Sequence, residues 1–237
     1  MNQVLQSCPE LANLIDAGET AGRSGSVHKI SSMSTLNNLE VLHNLCNQIK
    51  PNRSLEIGLA FGGSAMLFAA GYHKAGLPPA GQHTAIDPFQ TDVWDEVGLI
   101  ALENARLRQY LDFRPAFSSV VLPQLVAEGA KFDLIYVDGS HLFEDVFVDF
   151  YFSTRLLTEG GIVAFDDSSD PHVRKVLRFV RTNCSFAYET VDLGPYRRDK
   201  GAGARYRIAK ALGRVQLTAF RKIGPSTREW NSRFRDF

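Results

Sequence analysis

Residues 53–64 constrain the fold more than any other stretch of the chain. Two apolar, strand-forming residues, Leu55 and Ile57, stand directly before a turn that holds three glycines. Glycine lets the backbone bend and lets a ligand approach it closely, and Ser64 can cap a helix predicted over 64–70. A buried strand that runs through such a turn into a helix is typical of an α/β sheet, whose ligands lie beyond the carboxyl ends of the strands.

The spacing within this turn indicates the charge of the ligand. The pattern is E-x-G-x-x-x-G-x-S, formed by Glu56, Gly58, Gly62 and Ser64. It differs from the G-x-G-x-x-G fingerprint of dinucleotide-binding proteins. A carboxylate at the strand end repels a diphosphate and attracts an ammonium group. The turn therefore favours a cationic ligand over NAD, although a purely structural strand-to-helix corner would also explain the glycines.

The rest of the chain alternates between strand-like and helix-like segments. Further strands are predicted at 83–87, 111–114, 132–138, 162–165, 186–191 and 215–221. Helices are predicted at 5–17, 35–49, 92–110, 142–157 and 173–182. This alternation predicts an α/β, Rossmann-like fold with a seven-stranded, mostly parallel sheet and helices on both faces. The last two strands are expected to form an antiparallel C-terminal hairpin.

The 237 residues suffice for one sizeable domain, predicted at 51–237, after a helical extension at 1–50. The Gly/Ser-rich link 18–34 within that extension could form a lid or be an ordinary surface loop, and the extension as a whole could be a dimer element. The formal charge is balanced overall, but from residue 194 onward twelve Lys/Arg face three Asp/Glu, a difference of +9. A basic insertion at about 195–213 could attract an anionic substrate or form a solvated face. No motif that reads DNA or RNA is present, so we expect no nucleic-acid partner.

The cysteines and the apolar runs indicate the compartment. Cys8, Cys46 and Cys184 are odd in number, far apart and free of C-x-x-C pairing. They predict neither a disulfide framework nor a zinc site. No apolar run approaches the ~18 residues of a membrane-spanning helix, and the N-terminus does not read as a signal peptide. We therefore expect a soluble cytoplasmic protein with no membrane partner.

Acidic residues follow two of the predicted strands. Asp138 and His141 come after the strand at 132–138, and Asp166 and Asp167 follow the strand at 162–165. Three carboxylates at one sheet edge would repel one another, and a divalent cation such as Mg²⁺ relieves that repulsion. The alternative is that the later pair caps a helix and Asp138 only ends a strand. Asp87 ends another strand, where nucleotide-binding folds place an acidic residue on the ribose hydroxyls.

Taken together, these motifs resemble a known group of enzymes. The turn at 56–64 is similar to motif I of the class I S-adenosylmethionine-dependent methyltransferases. The run Val-Asp-Gly-Ser-His at 137–141, followed by Leu-Leu-Thr-Glu-Gly-Gly-Ile-Val-Ala-Phe-Asp-Asp at 156–167, resembles the metal-dependent O-methyltransferases of the catechol and macrocin types. The resemblance covers roughly residues 53–182. It implies the cofactor and the reaction class, but it does not identify the acceptor.

The resemblance also implies roles for individual residues. Those assigned to S-adenosylmethionine are Glu56, Gly58, Gly62, Ser64, Asp87, Asp138 and, as a weaker candidate beside adenine, Ser118. The serine could equally cap a helix. Those assigned to Mg²⁺ are Asp138, Asp166 and Asp167. The second member of the later pair is often asparagine in these families, so Asp167 departs from their pattern.

The implied reaction is methyl transfer to a hydroxyl of a small molecule or sugar. In the catechol type the base is a lysine; here it is His141, as in the macrocin type. We expect the cation to lower the pKa of the acceptor hydroxyl while His141 removes its proton and Asp138 assists. The acceptor is expected to be hydroxylated, and glycosylated or anionic, and a homodimer is compatible with the N-terminal helices. The alternatives are a methyltransferase-like binding module without turnover and, less favoured, an NAD-dependent oxidoreductase.

Overall fold

The structure is a computed structural model that describes residues 3–198, 201, 203–225 and 227–237. Its helices are α1 (Gln3–Ser7), α2 (Pro9–Ala17), α3 (Leu36–Ile49), α4 (Gly63–Lys74), α5 (Val97–Asn104), α6 (Ser118–Ala127), α7 (Phe143–Leu156), α8 (Pro171–Asn183) and α9 (Ala204–Ala211). Its strands are β1 (Glu19–Ala21), β2 (Val27–Lys29), β3 (Ser54–Ile57), β4 (His83–Ile86), β5 (Leu111–Arg114), β6 (Phe132–Val137), β7 (Leu157–Phe165), β8 (Tyr188–Thr190) and β9 (Thr218–Lys222). None of these helices combines the length and the apolar character that crossing a membrane requires.

The chain divides into two compact units, Met1–Ser118 and Ser119–Phe237. The first unit contributes three parallel strands in the order β5-β4-β3 to a seven-stranded sheet. The second contributes four strands in the order β6-β7-β9-β8, of which β6 and β7 are parallel. The predicted α/β class, the mostly parallel seven-stranded sheet and the antiparallel C-terminal strands are confirmed. The division into an extension at 1–50 and a domain at 51–237 stays a prediction.

The first unit has its strands in its core. Every residue of β3 and of β4 is buried, including the polar residues Ser54, Glu56, His83 and Thr84. The predicted N-terminal helices are present, with Thr35 capping α3 by accepting a hydrogen bond from the backbone N–H of Asn38. The link at 18–34 is not a plain loop, because β1 and β2 within it pair as an antiparallel hairpin.

The helix predicted over 92–110 was too long. The structure has a helix only at α5, followed by a short 3₁₀ helix at Arg108–Tyr110. Asp95, Glu96 and Arg106 adopt positive φ angles of 49°, 58° and 55°, which an α-helix does not allow. Left-handed residues therefore interrupt the predicted helix at both ends.

The second unit places the ends of two strands side by side. In the parallel pair of β6 and β7, Val137 lies opposite Phe165, so the residues that follow each strand emerge at the same edge. Strand β9 pairs antiparallel with both β7 and β8. The predicted basic insertion at 195–213 contains α9, and residues 199, 200 and 202 of that insertion lie outside the described residues.

Helix α5 approaches the glycine turn at backbone distance. A Cβ atom built on Gly98 would lie 2.5 Å from the carbonyl oxygen of Ala60, and one built on Gly62 would lie 2.8 Å from the carbonyl oxygen of Gly98. Real Cβ atoms do not come this close to backbone oxygen. The glycines at both positions therefore let α5 and the turn pack directly against each other.

The close packing at Gly98 and the open space at Gly71 predict different effects of alanine substitution on stability. Gly98→Ala should lower the free energy of unfolding by about 1–3 kcal/mol, because the added methyl group forces α5 away from the turn. Gly71→Ala, where no atom lies within 4 Å of the new Cβ, should be neutral or stabilise by up to about 1 kcal/mol. Urea unfolding followed by circular dichroism measures both variants. A Gly98→Ala protein as stable as the Gly71→Ala protein would refute the packing argument.

Candidate active site

The glycine turn links β3 to α4 through a left-handed backbone. Gly58, Ala60 and Gly62 have φ angles of 94°, 42° and 75°. Gly62 is the residue that precedes the helix, so Ser64 does not cap α4 and that part of the prediction was wrong. Gly58 donates its N–H to the carbonyl oxygen of Ile86 at 2.9 Å, which ties the start of the turn to the end of β4.

The carboxylate of Asp87 holds the turn in shape. Its Oδ2 atom accepts hydrogen bonds from the backbone N–H groups of Leu59 at 3.1 Å and Ala60 at 3.0 Å, and from Nε2 of Gln90 at 3.1 Å. Its Oδ1 atom accepts from the backbone N–H of Phe89 at 2.8 Å, and the residue is buried. Its predicted role as a ribose ligand stays a prediction; in this arrangement it organises the turn. No sequence motif marks Gln90 as part of this arrangement.

Glu56 and Ser64 contact each other beneath the turn. The hydroxyl of Ser64 donates to Oε2 of Glu56 at 2.6 Å, and both residues are buried. The Oε1 atom of Glu56 lies 3.2 Å from Nε2 of the buried His83 without the alignment of a hydrogen bond. On its other side, Nδ1 of His83 lies 2.8 Å from the hydroxyl of Ser54. The two residues assigned to the donor are thus part of a buried polar network.

The hairpin of β1 and β2 is docked onto the segment that follows β4. Arg23 forms ion pairs of 2.9 Å with Glu96 and with Glu103, and these partners raise the pKa of the Arg23 guanidinium. The Ser24 hydroxyl donates to Oδ2 of Asp95 at 2.6 Å, and hydrogen bonds from Ser24 lower the pKa of the Asp95 carboxyl. The link is therefore anchored in the first unit, and its predicted function as a lid stays a prediction.

In the second unit, Asp138 and His141 follow β6 and border a small pocket. This pocket has an empty volume of ≈ 190 Å³ that includes open solvent. Asp138, His141 and Asp166 line it together with apolar residues that include Val146 and Val173. Half of the His141 side chain is exposed to solvent, so a ligand can reach its imidazole. Three of the four residues that the sequence places at this edge therefore line this pocket.

The adjacent acidic residues Asp166 and Asp167 have different partners. Asp166 is buried; its Oδ2 accepts a hydrogen bond from the hydroxyl of Tyr136, and its Oδ1 accepts from the backbone N–H of Asp167 at 2.8 Å. Oδ2 of Asp167 lies 3.0 Å from Nε2 of His141. Tyr136 was not found from the sequence; its only signal is a polar tip in an otherwise apolar strand.

These contacts bear on the predicted cation. Carboxylate oxygens have the right chemistry for Mg²⁺. However, across the part of the chain that the structure describes, no three or more His, Cys, Asp or Glu side chains are grouped to hold a metal ion. Oδ2 of Asp166 accepts a hydrogen bond from the hydroxyl of Tyr136, and Oδ2 of Asp167 lies beside the imidazole of His141. The Mg²⁺ site at Asp138, Asp166 and Asp167 stays a prediction.

Ser118 is the first residue of α6. Its predicted contact with adenine and its alternative role as a helix cap both stay predictions.

Comparison with known protein families identifies the central part of the chain. Residues 55–168 match a family model described as a methyltransferase domain. The chain is 27% identical over 154 residues to caffeoyl-CoA O-methyltransferase 1 of Eucalyptus globulus, covering 60% of this chain and 58% of that protein. It is also 27% identical over 155 residues to caffeoyl-CoA O-methyltransferase 1 of Zea mays, covering 60% and 56%. The aligned part thus spans less than two thirds of the curated relatives it matches.

Solved structures share the fold. The O-methyltransferase TomG from Streptomyces achromogenes, solved in complex with SAM, aligns with a TM-score of 0.62 at 20% identity, covering 94% of this chain and 91% of that one. An O-methyltransferase from Bacillus cereus in complex with SAH aligns with a TM-score of 0.64 at 15% identity, covering 94% and 96%. The resemblance to S-adenosylmethionine-dependent O-methyltransferases is confirmed, and its metal-dependent part stays a prediction.

The geometry of the turn predicts the effect of neutralising Asp87. Asp87→Asn keeps the size of the side chain but replaces one carboxylate oxygen with an NH₂ group, so at least one buried donor loses its acceptor. We expect the free energy of unfolding to fall by about 1–3 kcal/mol. Asp92→Asn, an exposed residue in the same segment, is the matched control and should change it by less than about 0.5 kcal/mol. Thermal denaturation measures both, and equal melting temperatures would contradict the assigned role.

Proposed function

We propose that this chain, whose residues 55–168 match a methyltransferase-domain family, is an S-adenosylmethionine-dependent O-methyltransferase acting on a hydroxylated small molecule. The observation that carries the proposal is the half-exposed imidazole of His141. It lines a pocket with Asp138 and Asp166 inside the segment that matches the family. The NAD-dependent alternative has no such support.

The first unit supplies the residues proposed for the donor. S-adenosylmethionine, when bound, supplies a methyl group on a positively charged sulfur. The carboxylates of Glu56 and Asp87 are buried at the turn and give it a negative potential. Such a potential favours a cationic donor. We assign Gly58, Gly62, Ser64 and, more peripherally, Ser118 to the same binding surface.

The second unit supplies the residues proposed for the acceptor. His141 takes the proton from the acceptor hydroxyl, and its exposure lets it pass that proton on to water. Asp138 borders the same pocket and is proposed to orient the acceptor and the donor. The resulting oxygen nucleophile attacks the methyl carbon. Because the donor is already activated, the protein contributes mainly orientation and electrostatics.

The acceptor is proposed to be anionic or glycosylated. The exposed basic residues of α9, Arg205 and Arg207, support an acceptor with negative charge. The curated relatives are named for caffeoyl-CoA, which is therefore the first acceptor to test. A homodimer and a cytoplasmic location remain predictions. Asp138, Asp166 and Asp167 are proposed to hold a divalent cation such as Mg²⁺, which, when bound, would lower the pKa of the acceptor hydroxyl.

The second candidate is a methyltransferase-like binding module. It would bind S-adenosylmethionine without turnover. A screen of caffeoyl-CoA, catechols, flavonoids, glycosides and nucleotide sugars for S-adenosylhomocysteine release separates the two candidates. Release with any acceptor rejects the binding module.

Substitution of His141, the proposed general base, tests the proposal that the protein is an O-methyltransferase. His141→Ala should lower turnover by at least about a hundredfold, because the acceptor then loses its general base. The dissociation constant for S-adenosylmethionine, measured by calorimetry, should stay within about twofold, since no donor contact is removed. His73→Ala, an exposed histidine at the end of α4, is the matched control and should leave both quantities unchanged.

Unchanged turnover of His141→Ala under saturating acceptor would reject the assignment of His141. Loss of donor affinity in the same variant would show that the residue serves binding instead.

A further inference from the structure

The buried polar network beneath the glycine turn contains a histidine that no sequence motif marks. His83 is the first residue of β4 and is completely buried. We propose that His83 is a positioning residue, which fixes the Glu56 carboxylate where its charge attracts the ammonium group of S-adenosylmethionine. The inference rests on the proposed function, in which Glu56 belongs to the donor site. It assigns a part in donor recognition to a side chain that lies behind that site.

Helix α4 holds the imidazole of His83 in one plane. Residues spaced four apart lie on the same face of a helix. The face that covers β3 and β4 carries the buried residues Ser64, Phe68 and Tyr72. The ring of Phe68 stacks on the imidazole with centroids 4.8 Å apart and an interplanar angle of 30°. The two nitrogen atoms of His83 therefore point to partners within the plane of the ring.

A chain of hydroxyl groups determines which nitrogen of His83 carries the hydrogen. The hydroxyl of Tyr72 donates to Oγ of Ser54 at 2.7 Å. Ser54 therefore has its own hydrogen available for Nδ1 of His83, which lies 2.8 Å from Oγ. When Nδ1 accepts this hydrogen bond, the N–H of the neutral imidazole is on Nε2. The Nε2 atom faces Glu56, so the hydroxyl chain presents a donor to the carboxylate.

The two oxygens of the Glu56 carboxylate have different surroundings. Oε2 accepts a hydrogen bond from the hydroxyl of Ser64 at 2.6 Å. Oε1 lies 3.2 Å from Nε2 of His83, and neither atom has a hydrogen-bond partner among the residues that the structure describes. Unsatisfied buried polar atoms lower stability, so the fold alone does not explain this contact. The arrangement indicates a functional role for the pair.

The location of the Glu56 carboxylate matters because it is completely buried, two positions before Gly58. A charge acts more strongly in such surroundings than in water, and its effect falls with distance. Ser64 holds one oxygen, and the imidazole limits the position of the other. Loss of Nε2 would let the carboxylate move away from the turn and weaken its attraction for an ammonium group.

Two amide substitutions test the contact between His83 and Glu56. The amide nitrogen of glutamine can occupy the position of Nε2, whereas that of asparagine reaches only the position of Nδ1, beside Ser54. His83→Asn should therefore weaken the binding of S-adenosylhomocysteine about tenfold, and His83→Gln should stay within about threefold of the wild type. Isothermal titration calorimetry on the full-length protein measures both dissociation constants.

Methylthioadenosine distinguishes positioning from folding. It shares the adenosine and the thioether of S-adenosylhomocysteine but lacks the amino acid portion, and therefore the ammonium group. Its dissociation constant should stay within about twofold of the wild-type value in both variants. Equal losses of affinity for the two ligands would show that His83 serves only the fold and would overturn the inference. Unchanged binding of S-adenosylhomocysteine by His83→Asn, or equal losses in His83→Asn and His83→Gln, would also overturn it.

Tyr72→Phe tests the same network without replacing the histidine. It removes only the hydroxyl that donates to Ser54 and keeps the aromatic ring, so the variant should fold. The tautomer of His83 is then no longer fixed, and affinity for S-adenosylhomocysteine should fall about threefold while affinity for methylthioadenosine is unchanged. Unchanged affinity for S-adenosylhomocysteine would contradict the assigned chain of hydrogen bonds.

His73→Asn is the matched control for the histidine substitutions. His73 is exposed on the same helix, where its Nδ1 lies 3.3 Å from the hydroxyl of Tyr110. This variant should leave the affinity for both ligands within about twofold of the wild type. A selective loss of S-adenosylhomocysteine binding in His73→Asn as large as that in His83→Asn would overturn the specific role of His83.

Failure of this inference can be distinguished from failure of the proposed function. A wild-type protein that neither binds S-adenosylmethionine nor methylates any acceptor would refute both. A wild-type protein that binds the donor, together with a His83→Asn variant that binds S-adenosylhomocysteine equally tightly, would refute only the role of His83.

Discussion

The carboxylate of Asp87 joins two segments that are 28 positions apart in the sequence. It accepts hydrogen bonds from the backbone N–H groups of Leu59 and Ala60. These two residues lie in a left-handed turn, where their N–H groups have no hydrogen-bond partner within a helix or strand. Without this acceptor, buried donors would be left unsatisfied and the turn would lose its shape. The start of α4, the contact between Ser64 and Glu56 and the approach of α5 at Gly98 all depend on the path that the turn takes.

The parts of the fold that could be predicted are those whose physical cause is local in sequence. An apolar run at 134–137 marks the buried parallel strand β6. The spacing of Gly58 and Gly62 likewise indicated the turn between β3 and α4. The start of α5 within the predicted helix at 92–110 could not be located, because the left-handed residue Asp95 contacts the hairpin of β1 and β2. Ser24, 71 positions earlier, bonds to Asp95, and no local pattern reports such a contact.

The candidate site shows the same limit. Asp138, His141 and Asp166 could be placed at one sheet edge by assuming that neighbouring parallel strands end at the same level. Strands β6 and β7 do so, because Val137 lies opposite Phe165. What each carboxylate binds could not be predicted from its position. Tyr136 reaches Asp166 across neighbouring strands, and His141 turns toward Asp167. Asp166 and Asp167, which are adjacent in the motif, therefore have different side-chain partners.

The left-handed backbone at Asp167 has a consequence for how this site can change over generations. The codons for aspartate and asparagine differ in one base, and the two side chains share a size and a tolerance for this conformation. A point mutation can therefore exchange a charged group for a neutral one beside His141 while the surrounding chain keeps its course. Lineages that carry this fold can sample both chemistries without passing through a misfolded intermediate.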